Sequence, residues 1–222
     1  MEISVPSSGN LDIFEKTHVK DVYEDISEHF DNTRHYSWDK VEEFVKDINV
    51  NTINFDIGCG NGRNMRIREN CHFIGFDITF NLLKKIGVNG NDGVQCSNLN
   101  LPVRDNVADN ILSIAVIHHF ATEERRLEAI KEMIRVLRIG GRILIYVWAK
   151  EQERFKNKSQ DLLVGWKLQK RYSKDKKETD YGRYYHLFYK DEFEKLLKKI
   201  TNIKIIEIGY QMGNWYCIAE KL

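Results

Sequence analysis

Asn54-Phe55-Asp56-Ile57-Gly58-Cys59-Gly60-Asn61-Gly62 is the stretch that decides the fold. The apolar run from Ile53 to Ile57 has the length of a short buried strand. It gives way to glycines at the alternate positions 58, 60 and 62, and a helical pattern over about 61–69 follows. Strand, glycine loop and helix, in that order, form a nucleotide-binding crossover. Without Cβ atoms, Gly58 and Gly60 let the backbone turn tightly and let a ligand approach it closely. A second apolar run, His72–Phe76, ends in Asp77, nineteen residues after Gly58. A carboxylate there can accept hydrogen bonds from both ribose hydroxyls of an adenosine.

The spacing departs from the dinucleotide pattern G-x-G-x-x-G, because position 63 is Arg. Asp56 extends the glycines to D-x-G-x-G-x-G. That form resembles motif I of the class I S-adenosylmethionine methyltransferases. The resemblance implies S-adenosylmethionine as cofactor, with Asp56 near its methionine ammonium and Gly58, Cys59 and Gly60 beneath it. Asp77 and Ile78 would lie at the ribose and adenine.

Composition narrows the class. A chain of 222 residues, 42% hydrophobic and 30% charged, fits one globular α/β domain. No apolar run approaches the ~20 residues a bilayer span needs. Met1–Asn10 is polar, unlike a secretory signal, and is expected to be a disordered tail. Cys59, Cys71, Cys96 and Cys217 show no C-x-x-C spacing and no metal motif. They read as reduced thiols of an intracellular protein, a chemistry compatible with the cytoplasm and with the nucleus. Net charge is only +1, but nine Lys or Arg against two acids fall between Arg154 and Lys177, a local charge of +7 that leaves −6 elsewhere. Such a segment is either a phosphate-binding surface or a solvated loop.

Along the chain, Phe14, Val19, Val22, Tyr23, Ile26 and Phe30 recur at helical steps over Leu11–Phe30, the pattern of one amphipathic helix or a broken pair of helices. Ser37 is placed to cap a helix reaching about Ile48. Strands are predicted near 52–57, 72–77, 93–96, 109–115, 142–148, 203–209 and 215–220, and helices near 61–69, 80–86, 122–138 and 190–199. Thr122 is an N-cap candidate. This alternation predicts an α/β fold: a doubly wound, seven-stranded, mostly parallel, Rossmann-like sheet with an N-terminal helical layer. The last two strands, joined without a helix, form an antiparallel hairpin. Residues 11–222 read as a single domain with a basic insertion at about 150–182.

In such a sheet the ligand sits outside the C-terminal strand ends. Asp56–Gly62, Asp77, Cys96–Leu99 and Ala115–His119 converge there. Ser97 or Asn98 can reach the adenine amino group and Leu99 can pack on its face. Many class I methyltransferases carry Asp where this chain has Ser97. The adjacent His118 and His119 at a strand end are candidates to face the substrate.

Longer strings carry a narrower resemblance. They include Val22-Tyr23-Glu24 with His29-Phe30 and Thr33-Arg34-His35, then Ser113-Ile114-Ala115-Val116-Ile117-His118-His119-Phe120-Ala121-Thr122 with Glu124-Arg125-Arg126. Ile145-Tyr146-Val147-Trp148-Ala149, Arg183-Tyr184-Tyr185-His186 and Gly213-Asn214-Trp215 complete the set. Together, from about residue 18 onward, they resemble the eukaryotic tRNA wobble-uridine carboxymethyl methyltransferases. The resemblance implies methyl esterification of 5-carboxymethyluridine to 5-methoxycarbonylmethyluridine in the anticodon. It also implies a heterodimer with a small zinc-binding activator subunit, docked by strand addition on the edge strand around Gly93–Cys96.

A carboxylic acid of pKa ~4 is ionised at pH 7, so its attack on a sulfonium methyl needs no general base. The enzyme must position it. Arg34, His118, His119, Arg183 and His186 are the candidates for that task. Arg125, Lys174, Tyr184, Asn214 and Trp215 are candidates to touch the substrate, with Trp166 and Tyr172 as candidate stacking groups in the RNA loop. The alternatives are a class I small-molecule carboxyl methyltransferase, which needs no basic insertion, and a non-enzymatic scaffold, which would not need Asp56, Gly58, Gly60 and Asp77 intact.

Overall fold

A computed structural model describes residues 2–6, 8–33, 37–68, 70–86, 91–173 and 175–222. Its centre is a seven-stranded sheet. The strands are β1 (Asn54–Ile57), β2 (Phe73–Asp77), β3 (Asp92–Gln95), β4 (Ala108–Ile114), β5 (Leu137–Trp148), β8 (Ile203–Gln211) and β9 (Asn214–Lys221), while β6 (Asp161–Leu168) and β7 (Thr179–His186) pair apart from it. The order across the sheet is β3-β2-β1-β4-β5-β9-β8. The first five strands pair in parallel; β9 runs antiparallel to both β5 and β8. The predicted doubly wound fold is therefore present. Strand order reverses between β1 and β4, so the connections on either side diverge and leave a crevice at the C-terminal ends.

The strands are apolar because both faces are covered. One face packs Phe55, Ile57, Ile111, Ile143, Ile145 and Val147 against α5 (Glu123–Val136) and α6 (Lys190–Lys198). The other packs Phe73, Leu112, Leu144 and Tyr146 against Val41, Phe44 and Val45 of α3 (Asp39–Lys46). Thr122 caps α5 as expected, its side chain accepting from Arg125 N–H. Ser37 does not cap α3: Trp38 occupies that position without a side-chain hydrogen bond, while Asp39 and Glu42 meet the positive end of the dipole. The β8–β9 turn uses Met212 and Gly213, both at positive φ (47° and 81°), the primed geometry whose twist suits a two-residue hairpin.

Three regions depart from expectation or settle what it left open. The helix over 61–69 is only a 3-10 turn, Asn64–Arg66, because the connection to β2 is too short for a covering helix after Gly62 has turned the chain at φ 73°. The N-terminal helix is one continuous path with a defect: α1 (Leu11–Glu15), a π-helical turn at Lys16–Lys20, then α2 (Asp21–Asp31). The basic insertion contains the antiparallel β6–β7 hairpin. Leu168, Trp166, Tyr172 and Tyr181 of that insertion pack on Val22, Ile26 and Phe30 of α2. His29 stacks on Tyr172, with centroids 4.6 Å apart and planes at 12°. In the tail, Glu2 bridges Leu162, and Ile3 and Val5 pack near Leu11, Phe14, Ala121 and Tyr184.

Helix α2 is also latched to the sheet. Glu24 accepts from Phe80 N–H (2.7 Å) and Asn81 N–H (3.0 Å) at the start of α4 (Phe80–Leu83). Asp31 accepts from Asn61 Nδ2 at 2.7 Å. The helix and the hairpin it carries thereby form a roof over the C-terminal ends of β1, β2 and β4.

Candidate active site

Beneath that roof lies a cavity of about 1050 Å³. It is large enough for a cofactor and an extruded nucleoside together, since single-ligand sites run from ~300 to 1,000 Å³.

Its floor is the glycine loop. Gly58 sits at φ 77°, where an added Cβ would lie 2.3 Å from Val116 Cγ2. Gly58 and Cys59 donate to Phe76 O (2.7 and 3.1 Å), and Gly60 N–H donates to Asp77 Oδ2 (2.8 Å). The other Asp77 oxygen accepts from Thr79 N–H at 2.8 Å. The Thr79 side chain also hydrogen-bonds this carboxylate, which keeps acceptor capacity for a further hydroxyl. Burial raises the Asp77 carboxyl's pKa, against the pull of these N–H groups. At the end of β4, Ala115 is held at φ 63°, a left-handed conformation uncommon for a residue with a side chain and often found at functional sites.

Gly58, Cys59, Gly60, Asp77, Ile78, Ser97, Asn98 and Ala115 all line the cavity, as expected from the sequence. Two predicted cofactor residues do not. Asp56 is fully buried in β1 one step behind the loop; its oxygens have no hydrogen-bond partner among the described residues, and burial, reinforced by Asp77, lifts its pKa to about 7. Leu99 turns to the opposite side, where it borders a shallow depression with Glu124 and Leu127, while Ser97 Oγ accepts its N–H. Phe30 and Leu82 supply further apolar wall. An adenosine-sized space beside a carboxylate, floored by open backbone, fits S-adenosylmethionine; Asp77 would hold the ribose, Ile78, Ser97 and Asn98 would border the adenine, and the glycine loop would carry the methionine portion.

The other end of the cavity joins three distant segments. His119 Nδ1 lies 2.7 Å from Tyr184 O, and its Nε2 lies 3.2 Å from Tyr23 Oη. A carbonyl only accepts, so Nδ1 carries the ring proton and Nε2 accepts a hydrogen bond from the Tyr23 hydroxyl. Burial drives the His119 pKa down to about 3, so the ring is neutral. Tyr23 Oη is also 3.1 Å from Tyr185 Oη and 3.4 Å from Arg183 Nη1. Arg183 is 3% exposed. Its guanidinium lies over the rings of Trp166 (4.7 Å), Tyr185 (5.4 Å) and Tyr23 (5.7 Å). Among the described residues no carboxylate pairs with it, and its Nε–H has no acceptor. Trp148, stacked on Tyr185 at 4.3 Å, and Arg154, 4.7 Å above Trp148, complete this wall.

The structure redistributes the other candidates. His118 is fully buried and off the cavity; its Nδ1 accepts from Trp148 N–H at 3.2 Å, and burial holds its pKa far below normal. His186 is clamped between Asp161 (2.9 Å) and Glu192 (2.6 Å), away from the site. Burial opposes charge there, but the two carboxylates outweigh it and the pKa is raised. Tyr184 points into the core and bonds Asp161 at 2.5 Å, because alternation along β7 sends Tyr185, not Tyr184, to the cavity. Arg125 reaches the cavity wall with its guanidinium engaged by Asp12 and Glu15, both at 2.8 Å. Asn214 closes the β8–β9 turn through Gln211 O and Met212 O, and Trp215 donates to Glu151; neither lines the cavity. Arg34 and Lys174 lie outside the described residues. Strand alternation is expected to turn one of Tyr184 and Tyr185 inward, and Tyr185 is the one on the cavity; Tyr23 and Trp148 are cavity residues not expected from the sequence, although both lie within the strings that carry the family resemblance.

The sheet order, the glycine loop and the acidic end of β2 define a class I S-adenosylmethionine-dependent methyltransferase, and a family described as "Methyltransferase domain" matches residues 55–145. The fold recurs at a TM-score of 0.66 and 12% identity in a chain of the solved complex between the Haloferax volcanii Trm112 methyltransferase activator and a putative methyltransferase, over 92% of this chain and 97% of that one. A tRNA (carboxymethyluridine(34)-5-O)-methyltransferase of Schizosaccharomyces pombe is 38% identical over 94% of this chain and 98% of its own length. One from Xenopus tropicalis is 34% identical over 100% of this chain, which spans 44% of the frog protein. The chain belongs to the tRNA (carboxymethyluridine(34)-5-O)-methyltransferase family.

Proposed function

We propose that this chain methyl-esterifies 5-carboxymethyluridine at the wobble position of tRNA. The observation that carries the reading is Arg183: a buried guanidinium with no carboxylate partner among the described residues, on the wall of the cavity whose floor suits the cofactor. A buried charge without a counterion is costly, so the site is built to receive an anion. The substrate's carboxylate supplies it.

When bound, S-adenosylmethionine would supply its sulfonium methyl for transfer to a carboxylate oxygen, with S-adenosylhomocysteine as the leaving group. The residues then do three things. Arg183 holds the non-attacking oxygen, which leaves the other free to approach at ~3 Å. Tyr185, Trp148 and Trp166 exclude water and offer aromatic faces to the base. His119, neutral and already bonded on both nitrogens, positions the wall and is not needed as a base.

The exposed Lys158, Lys167, Lys170, Arg171, Lys176 and Lys177 surround the mouth-forming hairpin and are suited to anticodon-stem phosphates. This favours tRNA over a small carboxylic acid, which would use the cavity alone. An activator subunit related to that in the Haloferax volcanii complex, zinc-binding in the family resemblance, would add a strand at β3, which among the described residues pairs only with β2. The free cysteines and the tRNA substrate fit a cytoplasmic or nuclear setting. The test is transfer of labelled methyl to tRNA bearing 5-carboxymethyluridine, with and without the activator. An alkali-labile ester on U34 is expected, and no ester in either condition would reject the reading.

A further inference from the structure

Tyr23 sits where α2, the end of β4 and the β6–β7 hairpin meet, and the proton count at its oxygen is determined. His119 Nδ1–H is committed to Tyr184 O at 2.7 Å, so Nε2 is an acceptor and the Tyr23 hydroxyl donates its hydrogen bond to it across 3.2 Å. The Tyr23 oxygen is left with two lone pairs and no proton to give elsewhere. Two donors face them: Tyr185 Oη at 3.1 Å and Arg183 Nη1 at 3.4 Å. The Tyr23 ring is meanwhile fixed from behind by Phe30, edge-on at 5.3 Å, and by His119 at 5.4 Å.

We infer that Tyr23 is a positioning residue for Arg183: its hydroxyl, oriented by His119, anchors one nitrogen of the guanidinium so that the others, Nε–H among them, are presented to the acceptor carboxylate. The inference rests on the proposed function. It also explains why His119 is built neutral. A protonated ring would donate from both nitrogens, turn the Tyr23 proton toward Arg183 and put a donor against a donor. Because Tyr23 meets the anion-binding side as an acceptor, it does not compete with Arg183 for the substrate, and a second carboxylate-holding group is not needed there. Fixing a guanidinium in a single orientation matters because an unanchored Arg side chain would lose rotamer freedom on each binding event.

The test is Tyr23→Phe, which keeps the ring packed on Phe30, alone and combined with Arg183→Ala, assayed with the activator present. Expected are an unchanged melting temperature, unchanged calorimetric affinity for S-adenosylhomocysteine, and a kcat/KM on carboxymethyluridine tRNA lowered about tenfold, the size of one hydrogen bond to a charged group. In the Arg183→Ala background the same change should cost nothing further, which is the coupling a merely structural role would not produce. Equal losses in both backgrounds, or a loss that follows the cofactor affinity, would overturn the inference while wild-type activity still upheld the function. If the wild type is inert on tRNA, the reading of function fails. The inference is then decided by calorimetric titration of the S-adenosylhomocysteine complex with 5-carboxymethyluridine: weaker binding to Tyr23→Phe than to wild type supports it, and equal or absent binding rejects it.

Discussion

The two ends of the cavity are built differently. The floor of the cofactor end comes from one short stretch of chain: Gly58 and Gly60 are tied to Phe76 O and Asp77 by hydrogen bonds spanning fewer than twenty residues. The acceptor end joins Tyr23, His119, Arg183 and Tyr185, with sequence separations of 96 and 162 residues across its bonds. The first is generic to a class of enzymes, because every member must hold the same adenosine. The second is particular, because it must recognise one acceptor. On the proposed function, recognition of the carboxylate rests on interactions that only the folded chain brings together.

That contrast can be broken experimentally, and the largest effect belongs to the acceptor end. Arg183→Ala should lower kcat/KM on carboxymethyluridine tRNA by on the order of 10²–10³-fold, as expected when one side of a buried charge pair is removed. Cofactor affinity measured by calorimetry should not change. Asp77→Ala should do the opposite. It should weaken S-adenosylhomocysteine binding by about 1–3 kcal/mol and leave tRNA affinity alone; unchanged calorimetric affinity would remove Asp77 from the ribose role.

A smaller effect should come from the hairpin's surface. Replacing Lys170, Arg171, Lys176 and Lys177 together by Ala should weaken tRNA binding and flatten its dependence on salt. The logarithmic slope should fall by about 0.7–0.9 for every phosphate no longer neutralised. Cofactor binding should be indifferent. If the salt slope stays the same, the insertion serves only to roof the cavity.

The smallest effect concerns the clamp that holds the hairpin to α6. His186 has a raised pKa in the folded chain, so its stabilising contribution is fully present below the ordinary histidine value near 6.5 and is lost as pH rises through the folded value. Asp161 and Glu192 have lowered pKa values and contribute above the ordinary carboxylate range. The melting-temperature gap between wild type and His186→Gln should therefore be widest between about pH 5 and 6.5 and narrow toward pH 9. A gap that widens with pH would contradict this assignment.

The sheet was legible because its short strands are rich in large apolar residues and bounded by glycine and polar turns, as in Ile53–Ile57 and His72–Phe76. The cofactor floor was legible because its chemistry is local. The insertion's strands were hidden by charge, although Leu162-Leu163-Val164 and the tyrosines of β7 were there to be read. His118 and His186 have the chemistry of site residues, but one is buried against Trp148 N–H and the other between two carboxylates. Nothing local distinguishes them from His119. Tyr23 was marked by its place on a helical face, with Val19 four residues before it, and by the Val22-Tyr23-Glu24 string, neither of which shows its link to Arg183.

The central claim is that a buried guanidinium beside the cofactor reads the charge of the acceptor. Competition binding measures this directly, using tRNAs that differ only in carrying carboxymethyl or its uncharged carbamoylmethyl counterpart at U34, with S-adenosylhomocysteine bound. The wild type should prefer the carboxylate by at least about tenfold, one charge-assisted hydrogen bond's worth, and Arg183→Ala should erase the preference. A wild type indifferent to that charge, or a preference that survives in Arg183→Ala, would contradict the account.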